Sequence, residues 1–226
     1  MNDTAIIIVA GGSGTRMGAT LPKQFLELSG KPLLMHTVER FSDALPGARL
    51  IVVLPVAQIG HWTALCEKHG FTVPVEVAAG GESRFASVAR GLAAVGDAVF
   101  VGVHDGVRPL VSRELILSVL ARGRRTGAAI PAVEVTDSLR EIFPDGKSAV
   151  VDRGRYRAVQ TPQFFGTGLL RRAYAAAGDG AAFTDDASVV EAWGHPVSLC
   201  PGDRRNLKIT TSEDLDLAEI FLNGGK

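Results

Sequence analysis

Residues 5–18 read AIIIVAGGSGTRMG. The first six residues, Ala5 to Ala10, are apolar with no polar alternation, and glycines follow at once. A run of that kind reads as a strand buried on both faces, as in parallel sheets covered by helices. The rest of the chain repeats the theme. Leu50 to Leu54 (LIVVL) is a second buried strand closed by Pro55, and shorter strands are expected at Val75 to Ala78 and Gly127 to Pro131. Ala98 to Val103 (AVFVGV) is a central strand that ends at His104-Asp105. Between them lie segments of helical period: after Pro32 through Leu34, Val38 and Phe41; Ile59 to His69; Ser83 to Ala94, with Phe85, Val88 and Leu92 on one face; and Arg113 to Arg122. Helical patterns return at Gly168 to Ala177, Asp185 to Trp193 and Ser212 to Leu222. Strands alternating with helices predict an α/β fold with a mainly parallel sheet.

One stretch breaks the alternation. Val133 to Arg157 carries no amphipathic helix, only two extended pieces near 138–142 and 149–151, separated by Pro144-Asp145-Gly146. Asp-Gly supplies the positive φ of a tight turn. Residues 134–158 therefore read as a β-hairpin arm projecting from a single domain spanning 1–226, with a long surface loop as the alternative.

The chain has 226 residues, 24 Lys and Arg against 24 Asp and Glu, and a formal net charge of zero. A nucleic-acid binder would carry a basic excess, so that class is disfavoured, although a local basic pocket is not excluded. Two cysteines, Cys66 and Cys200, are too few for a disulfide framework and read as buried free thiols. The N-terminus lacks the basic and small-residue pattern of a signal peptide. No apolar run approaches the roughly 18 residues of a membrane span. A cytoplasmic location is expected.

Three chemistries compete for the glycine loop. Glycines let backbone N–H groups approach a phosphate closely, but a tight strand-to-helix turn without ligand would look the same. Gly12, Gly14 and Gly18 resemble the loop of short-chain dehydrogenases, yet the required Tyr-x-x-x-Lys pair is absent: Tyr156 is followed four residues later by Gln160, and Tyr174 by Gly178. A P-loop needs Gly-Lys-[Ser/Thr], and the Gly30-Lys31 pair is followed by Pro32. What sets this loop apart is Arg16 inside it and Pro22-Lys23-Gln24 shortly after. A nucleotidyl transferase must neutralise charge on a triphosphate and on departing pyrophosphate, and one arginine and one lysine near the loop meet that need.

Gly11-Gly12-Ser13-Gly14-Thr15-Arg16-Met17-Gly18 with Leu21-Pro22-Lys23-Gln24 resembles the signature of sugar-phosphate nucleotidyltransferases. The Pro-Lys-Gln ending points to the 2-C-methyl-D-erythritol 4-phosphate cytidylyltransferases. The resemblance runs on through Gly80-Gly81-Glu82-Ser83-Arg84 with Ser87, and through Val103-His104-Asp105-Gly106-Val107-Arg108-Pro109. It continues in Thr161-Pro162-Gln163, Thr184-Asp185-Asp186-Ala187 and Asn206-Leu207-Lys208-Ile209-Thr210. The fold this implies is Rossmann-like, a mainly parallel twisted sheet flanked by helices.

Asp105 falls at the end of a central strand, where open α/β sheets bind ligands. Holding Mg²⁺ and capping a turn are both open to it on the residues alone; the resemblance implies the metal, with Asp203 a candidate second ligand. It also implies phosphate neutralisation by the catalytic residues Arg16, Lys23 and Lys208. Nucleotide binding is expected at Ala10, Gly11, Gly12, Gly14, Gly81, Glu82 and Ser87, the last being otherwise a helix-surface serine. Acceptor binding is expected at Arg108, Ser138, Arg153 and Thr184. Ser138 stands where the family pattern has threonine, and Arg153 sits in the cluster Arg153-Arg155-Arg157, which could equally be a solvated face. By resemblance, Ser138 and Arg153 reach a neighbouring subunit's site, which implies a homodimer. His104 is expected to make a structural hydrogen bond. The implied activity is transfer of CMP from CTP to methylerythritol 4-phosphate with release of pyrophosphate. Ribitol 5-phosphate or another pentitol phosphate is the alternative acceptor, and a non-catalytic nucleotide-binding module the alternative class.

Overall fold

The computed structural model describes residues 3–11, 21–178 and 183–224. The chain begins with β1 (Thr4–Val9), a short antiparallel pair β2 (Glu27–Leu28) and β3 (Lys31–Pro32), then α1 (Leu33–Ala44). It continues with β4 (Arg49–Leu54), α2 (Val56–Lys68), β5 (Glu76–Ala79), α3 (Arg84–Ala94), β6 (Phe100–Asp105), α4 (Arg113–Thr126) and β7 (Ala128–Glu134). The arm follows as β8 (Leu139–Ile142) and β9 (Ser148–Val151). Then come β10 (Arg157–Val159), β11 (Gln163–Gly166), α5 (Thr167–Ala176), α6 (Asp186–Ala192), β12 (Ser198–Pro201) and α7 (Ser212–Asn223).

The main sheet has the order β10-β7-β11-β6-β1-β4-β5, with β12 paired to β7. β1 runs parallel to both β4 and β6, and β4 to β5. β10 and β11 run antiparallel to β7, and β11 also to β6. The sheet is thus mixed, and mainly parallel at its centre. Ala5 to Ile8 are fully buried, as the uninterrupted apolar run requires. Ile6 and Ile8 face one layer, formed by Val38 and Phe41 of α1, Trp62 of α2 and Ile116 of α4. Ala5 and Ile7 face the other, with Val88 of α3, Leu170 of α5 and Val189 of α6. This three-layer packing removes apolar area from water on both faces of the sheet, at roughly 25 cal/mol per Å².

A third, smaller cluster joins Leu28 and Leu33 to Ile209, ahead of α7, and to Ala218 within it. It anchors the segment carrying Lys208 under the sheet's C-terminal edge. The arm stands apart as a two-stranded antiparallel ribbon off the main sheet. Its turn has Gly146 at φ +81°, as the Pro144-Asp145-Gly146 signal demands.

The chain leaves β1 towards β4 and β5, then crosses back to place β6 on β1's other side. That reversal creates a crevice at the C-terminal ends of β1 and β6, where open α/β sheets bind ligands.

Candidate active site

Three loops close this crevice through backbone hydrogen bonds to neighbouring strand ends. Ala10 N donates to Val53 O at 3.0 Å, Gly80 N to Leu54 O at 2.7 Å, and Gly106 N to Val9 O at 2.8 Å. Gln24 reaches back from the Pro22-Lys23-Gln24 turn, and its Nε2 donates to Ala10 O at 2.8 Å and to Gln58 Oε1 at 2.5 Å. The glutamine of that motif therefore fixes the exit of β1, while Ala10 is buried and Gly11 exposed. Gly12, Gly14 and Arg16 lie outside the described residues.

Asp105 ends β6, opposite Val9 of β1. Arg108 Nε donates to its Oδ2 at 3.1 Å, Lys208 Nζ lies 3.2 Å from the same oxygen, and Arg84 Nε lies 3.7 Å from Oδ1. Burial alone would raise the Asp105 pKa; Lys208, Arg108 and Arg84 outweigh it and hold the carboxyl well below its usual range. The group is therefore ionised throughout the neutral range. Lys208 keeps 47 % of its side chain exposed, whereas Arg108 is almost enclosed and also donates through Nη1 to Asn206 O at 2.9 Å.

His104 lies behind the carboxylate, fully buried against Phe41 with ring centroids 4.8 Å apart. Asp105 N donates to Thr161 Oγ1 at 3.2 Å, so the Thr161 hydroxyl proton is free to point at His104 Nδ1, 2.9 Å away. That leaves the other ring nitrogen protonated and facing Arg108 O at 3.3 Å. Desolvation dominates the ring and drives its pKa down to about 3, so it is neutral at any ordinary pH. The structural hydrogen bond expected of His104 thus fixes the turn bearing both Asp105 and Arg108.

Thr161 extends the framework. Its carbonyl accepts from Asn206 Nδ2 at 2.7 Å, and the neighbouring Gln160 pairs with the Asp203 backbone through Nε2 to O at 2.8 Å and N to Oε1 at 3.1 Å. These bonds clamp the tail that carries Lys208. Asp203 Oδ1 accepts from Arg205 N at 2.8 Å and closes its own turn. Lys23 is buried and its ammonium donates to Thr210 O, tying the loop after β1 to the same tail.

Ser87 is buried in α3. Its Oγ accepts from Gly81 N at 3.1 Å and lies 3.4 Å from Gly81 O. It therefore shapes the Gly80–Ser83 loop from within rather than standing on a helix surface, and Glu82 at the tip is exposed. Thr184 is exposed just ahead of the Asp185 cap of α6. Ser138 and Arg153 are both exposed on the arm. Arg153 donates to Thr136 O, and no hydrogen bond or ion pair joins either residue to the Asp105 cluster among the described residues.

Sequence reasoning assigned no role to Arg84, Tyr174, Asp186 or Asn206. Arg84 stood inside a quoted motif, and the signal that could have flagged it is a basic residue at the start of a helix, where the macrodipole disfavours it.

A sequence profile described as 2-C-methyl-D-erythritol 4-phosphate cytidylyltransferase matches residues 4–224. A protein of that name from Bacteroides thetaiotaomicron is 50 % identical over 218 residues, covering 96 % of this chain and 99 % of its own. One from Phocaeicola vulgatus is 48 % identical over 217 residues, covering 96 % and 98 %. Among solved structures, the Thermus thermophilus enzyme of that name superposes with a TM-score of 0.78 at 37 % identity, covering 99 % of this chain and 100 % of that one. The 4-diphosphocytidyl-2C-methyl-D-erythritol synthase of Anaerococcus prevotii superposes with a TM-score of 0.85 at 28 % identity, covering 98 % and 96 %.

Proposed function

Because the chain belongs to the 2-C-methyl-D-erythritol 4-phosphate cytidylyltransferase family, we propose that it transfers CMP from CTP to methylerythritol 4-phosphate at the crevice built around Asp105. The observation that carries the placement is the convergence of Arg84, Arg108 and Lys208 on one ionised carboxylate at the end of β6. Such a cluster offers surplus positive charge to a triphosphate and to an acceptor phosphate.

A phosphate oxygen of the acceptor attacks the α-phosphorus of CTP. The new P–O bond forms as the bond to the β-phosphate's bridging oxygen breaks, and pyrophosphate leaves with that electron pair. The acceptor phosphate is largely ionised near neutral pH, so no side-chain base is required. Rate acceleration comes from alignment and from charge stabilisation. Lys23 and Lys208, with Arg16, neutralise the triphosphate. Gly81, Glu82 and Ser87, with Ala10, Gly11, Gly12 and Gly14, hold the nucleotide, and Arg108 and Thr184 receive the acceptor.

The donors suit Mg²⁺. Asp105 supplies a hard carboxylate whose Oδ1 lies 3.7 Å from Arg84 Nε, longer than a hydrogen bond. Among the described residues no group of three His, Cys, Asp or Glu side chains could hold a metal, so substrate phosphates and water would complete the shell. When bound there, Mg²⁺ supplies charge neutralisation on the triphosphate.

The arm supports a homodimer. Ile142 and Val150 are 69 % and 74 % exposed, and Phe143 and Tyr156 are also exposed. A second copy covering this ribbon would bury them and bring Ser138 and Arg153 to its own crevice. None of the described helices is long and apolar enough to cross a membrane, and we assign the enzyme to the cytoplasm, where CTP is available.

The test is pyrophosphate release with CTP and Mg²⁺, offering methylerythritol 4-phosphate or ribitol 5-phosphate, with UTP and ATP as controls. Release with CTP and methylerythritol 4-phosphate is expected. Release only with ribitol 5-phosphate would reassign the acceptor, and none with either would refute the activity.

A further inference from the structure

Arg84 occupies the first turn of α3, directly after the Ser83 cap, where the helix dipole favours an acid rather than a base. Its guanidinium is held from behind. Nη2 donates to Asp186 Oδ2 at 2.7 Å, and Asp186 is fully buried. The other oxygen of Asp186 accepts from Tyr174 Oη at 2.5 Å, and the Tyr174 ring stacks on Phe85 with centroids 4.4 Å apart and planes 10° from parallel. Three helices, α3, α5 and α6, thus combine to fix one side chain. A buried carboxylate is costly unless paired, and here arginine and tyrosine each supply a donor to one of its oxygens. Burial and the adjacent Asp186 carboxylate push the Tyr174 phenol well above its usual range, so its proton stays on the Asp186 bond.

The front edge of the same guanidinium, Nε, faces Asp105 Oδ1 at 3.7 Å. One side chain therefore links the Gly80–Ser83 loop, the Asp105 carboxylate and the Thr184-Asp185-Asp186 segment. Resting on the cytidylyltransferase reading, we infer that Arg84 is a positioning residue: anchored on Asp186, it orients Asp105 and keeps the nucleotide and acceptor loops in register around it. Arg84 acts through Asp105 and needs no contact with either substrate.

A merely structural Arg84 would exist to neutralise Asp186, and this difference can be measured. Arg84→Met alone strands a buried carboxylate and lowers the unfolding midpoint. Arg84→Met with Asp186→Asn removes both charges, and the asparagine oxygen still accepts from Tyr174, so the midpoint returns towards that of the unaltered enzyme. The positioning role predicts that kcat/KM in this folded double variant stays down by about 10- to 100-fold, the usual cost of losing a partner behind a metal-binding group. It further predicts that kcat falls more than either KM, and that Mn²⁺ binding with CTP, followed by electron paramagnetic resonance, weakens. Arg84→Lys should recover part of the loss.

Full activity and Mn²⁺ affinity in the stable double variant would overturn the inference and leave Arg84 as a counter-ion for Asp186. Unaltered kcat/KM in Arg84→Met would overturn it as well. Inactivity of the unaltered enzyme with both acceptors is a separate result, which refutes the proposed function rather than this role.

Discussion

Gly81→Ala probes, with one methyl group, the loop that the proposed function assigns to the nucleotide. A Cβ built on Gly81 would lie 2.4 Å from Ala86 Cβ and 3.1 Å from the Ala86 carbonyl carbon. Ala86 belongs to the first turn of α3, where its N–H is held by the Ser83 cap at 3.0 Å, so it cannot swing aside. Carbon atoms pack at about 3.5–4.0 Å, so the loop itself must retreat by about 1 Å. That shift breaks the pair of Ser87 contacts to Gly81 N and O, each worth about 1 kcal/mol. A misplacement of about 1 Å costs on the order of 100-fold in catalysis. Pyrophosphate release should therefore show kcat/KM for CTP about 100-fold lower, with the acceptor KM little changed and the fold retained by circular dichroism. Gly60→Ala in α2, where a Cβ meets nothing within 4 Å, is the control and should leave CTP kinetics alone. A Gly81→Ala enzyme with unaltered CTP kinetics would refute the assignment of this loop to the nucleotide.

Lys208→Ala should lower kcat by about 100- to 1,000-fold, as for other removed charge stabilisers, while the fold survives because Arg108 and Arg84 stay on the buried Asp105 carboxylate. Unaltered turnover in a folded Lys208→Ala protein would remove it from the phosphate-binding set, and Lys23→Ala is judged in the same way. Val150→Asp with Ile142→Asp, on the exposed faces of the arm, should shift sedimentation from dimer to monomer; a monomeric parent protein would refute the dimer outright. For His104, a folded-state pKa of about 3 against 6.5 unfolded means that its neutral form contributes stability above pH 6.5, lost as pH falls. Without metal, unfolding free energy should drop by about 2 kcal/mol between pH 8 and pH 5 on this account, before the Asp105 contribution begins to fade below about pH 4. His104→Gln should flatten that slope, and parallel profiles for the two proteins would refute the assignment.

The central strands were legible because each carries its own reason for burial. AIIIVA and LIVVL have no polar face, so only a position between two helical layers can accommodate them. The hairpin was legible from Asp145-Gly146, whose geometry is local. By contrast, β10, β11 and β12 escaped notice. β10 is three residues of exposed Arg157, Ala158 and Val159, and β12 is a four-residue edge with Leu199 exposed. Their pairing with β7 comes from the chain's return after the arm, a tertiary fact with no local periodicity to announce it.

The site divides along the same line. Asp105 could be placed because the end of a central strand is a position that sequence pattern can locate. Its partners could not, since Arg84 meets Asp186 across 102 residues and Arg108 meets the Asn206 carbonyl across 98. Composition concealed the electrostatics too. A net charge of zero says nothing about a crevice where, among the described residues, Arg84, Arg108 and Lys208 pair with Asp105 and the buried Asp186. The imbalance is the chemically useful feature: one carboxylate can remain ionised beside an incoming triphosphate only if the surrounding cations exceed it in charge. Lys208 is the half-exposed member of the three, whereas Arg84 and Arg108 each have a second anchor on Asp186 and Asn206. Under the proposed function, Lys208 is the cation freest to leave Asp105 for a phosphate, because the arginines' second anchors hold them beside the carboxylate.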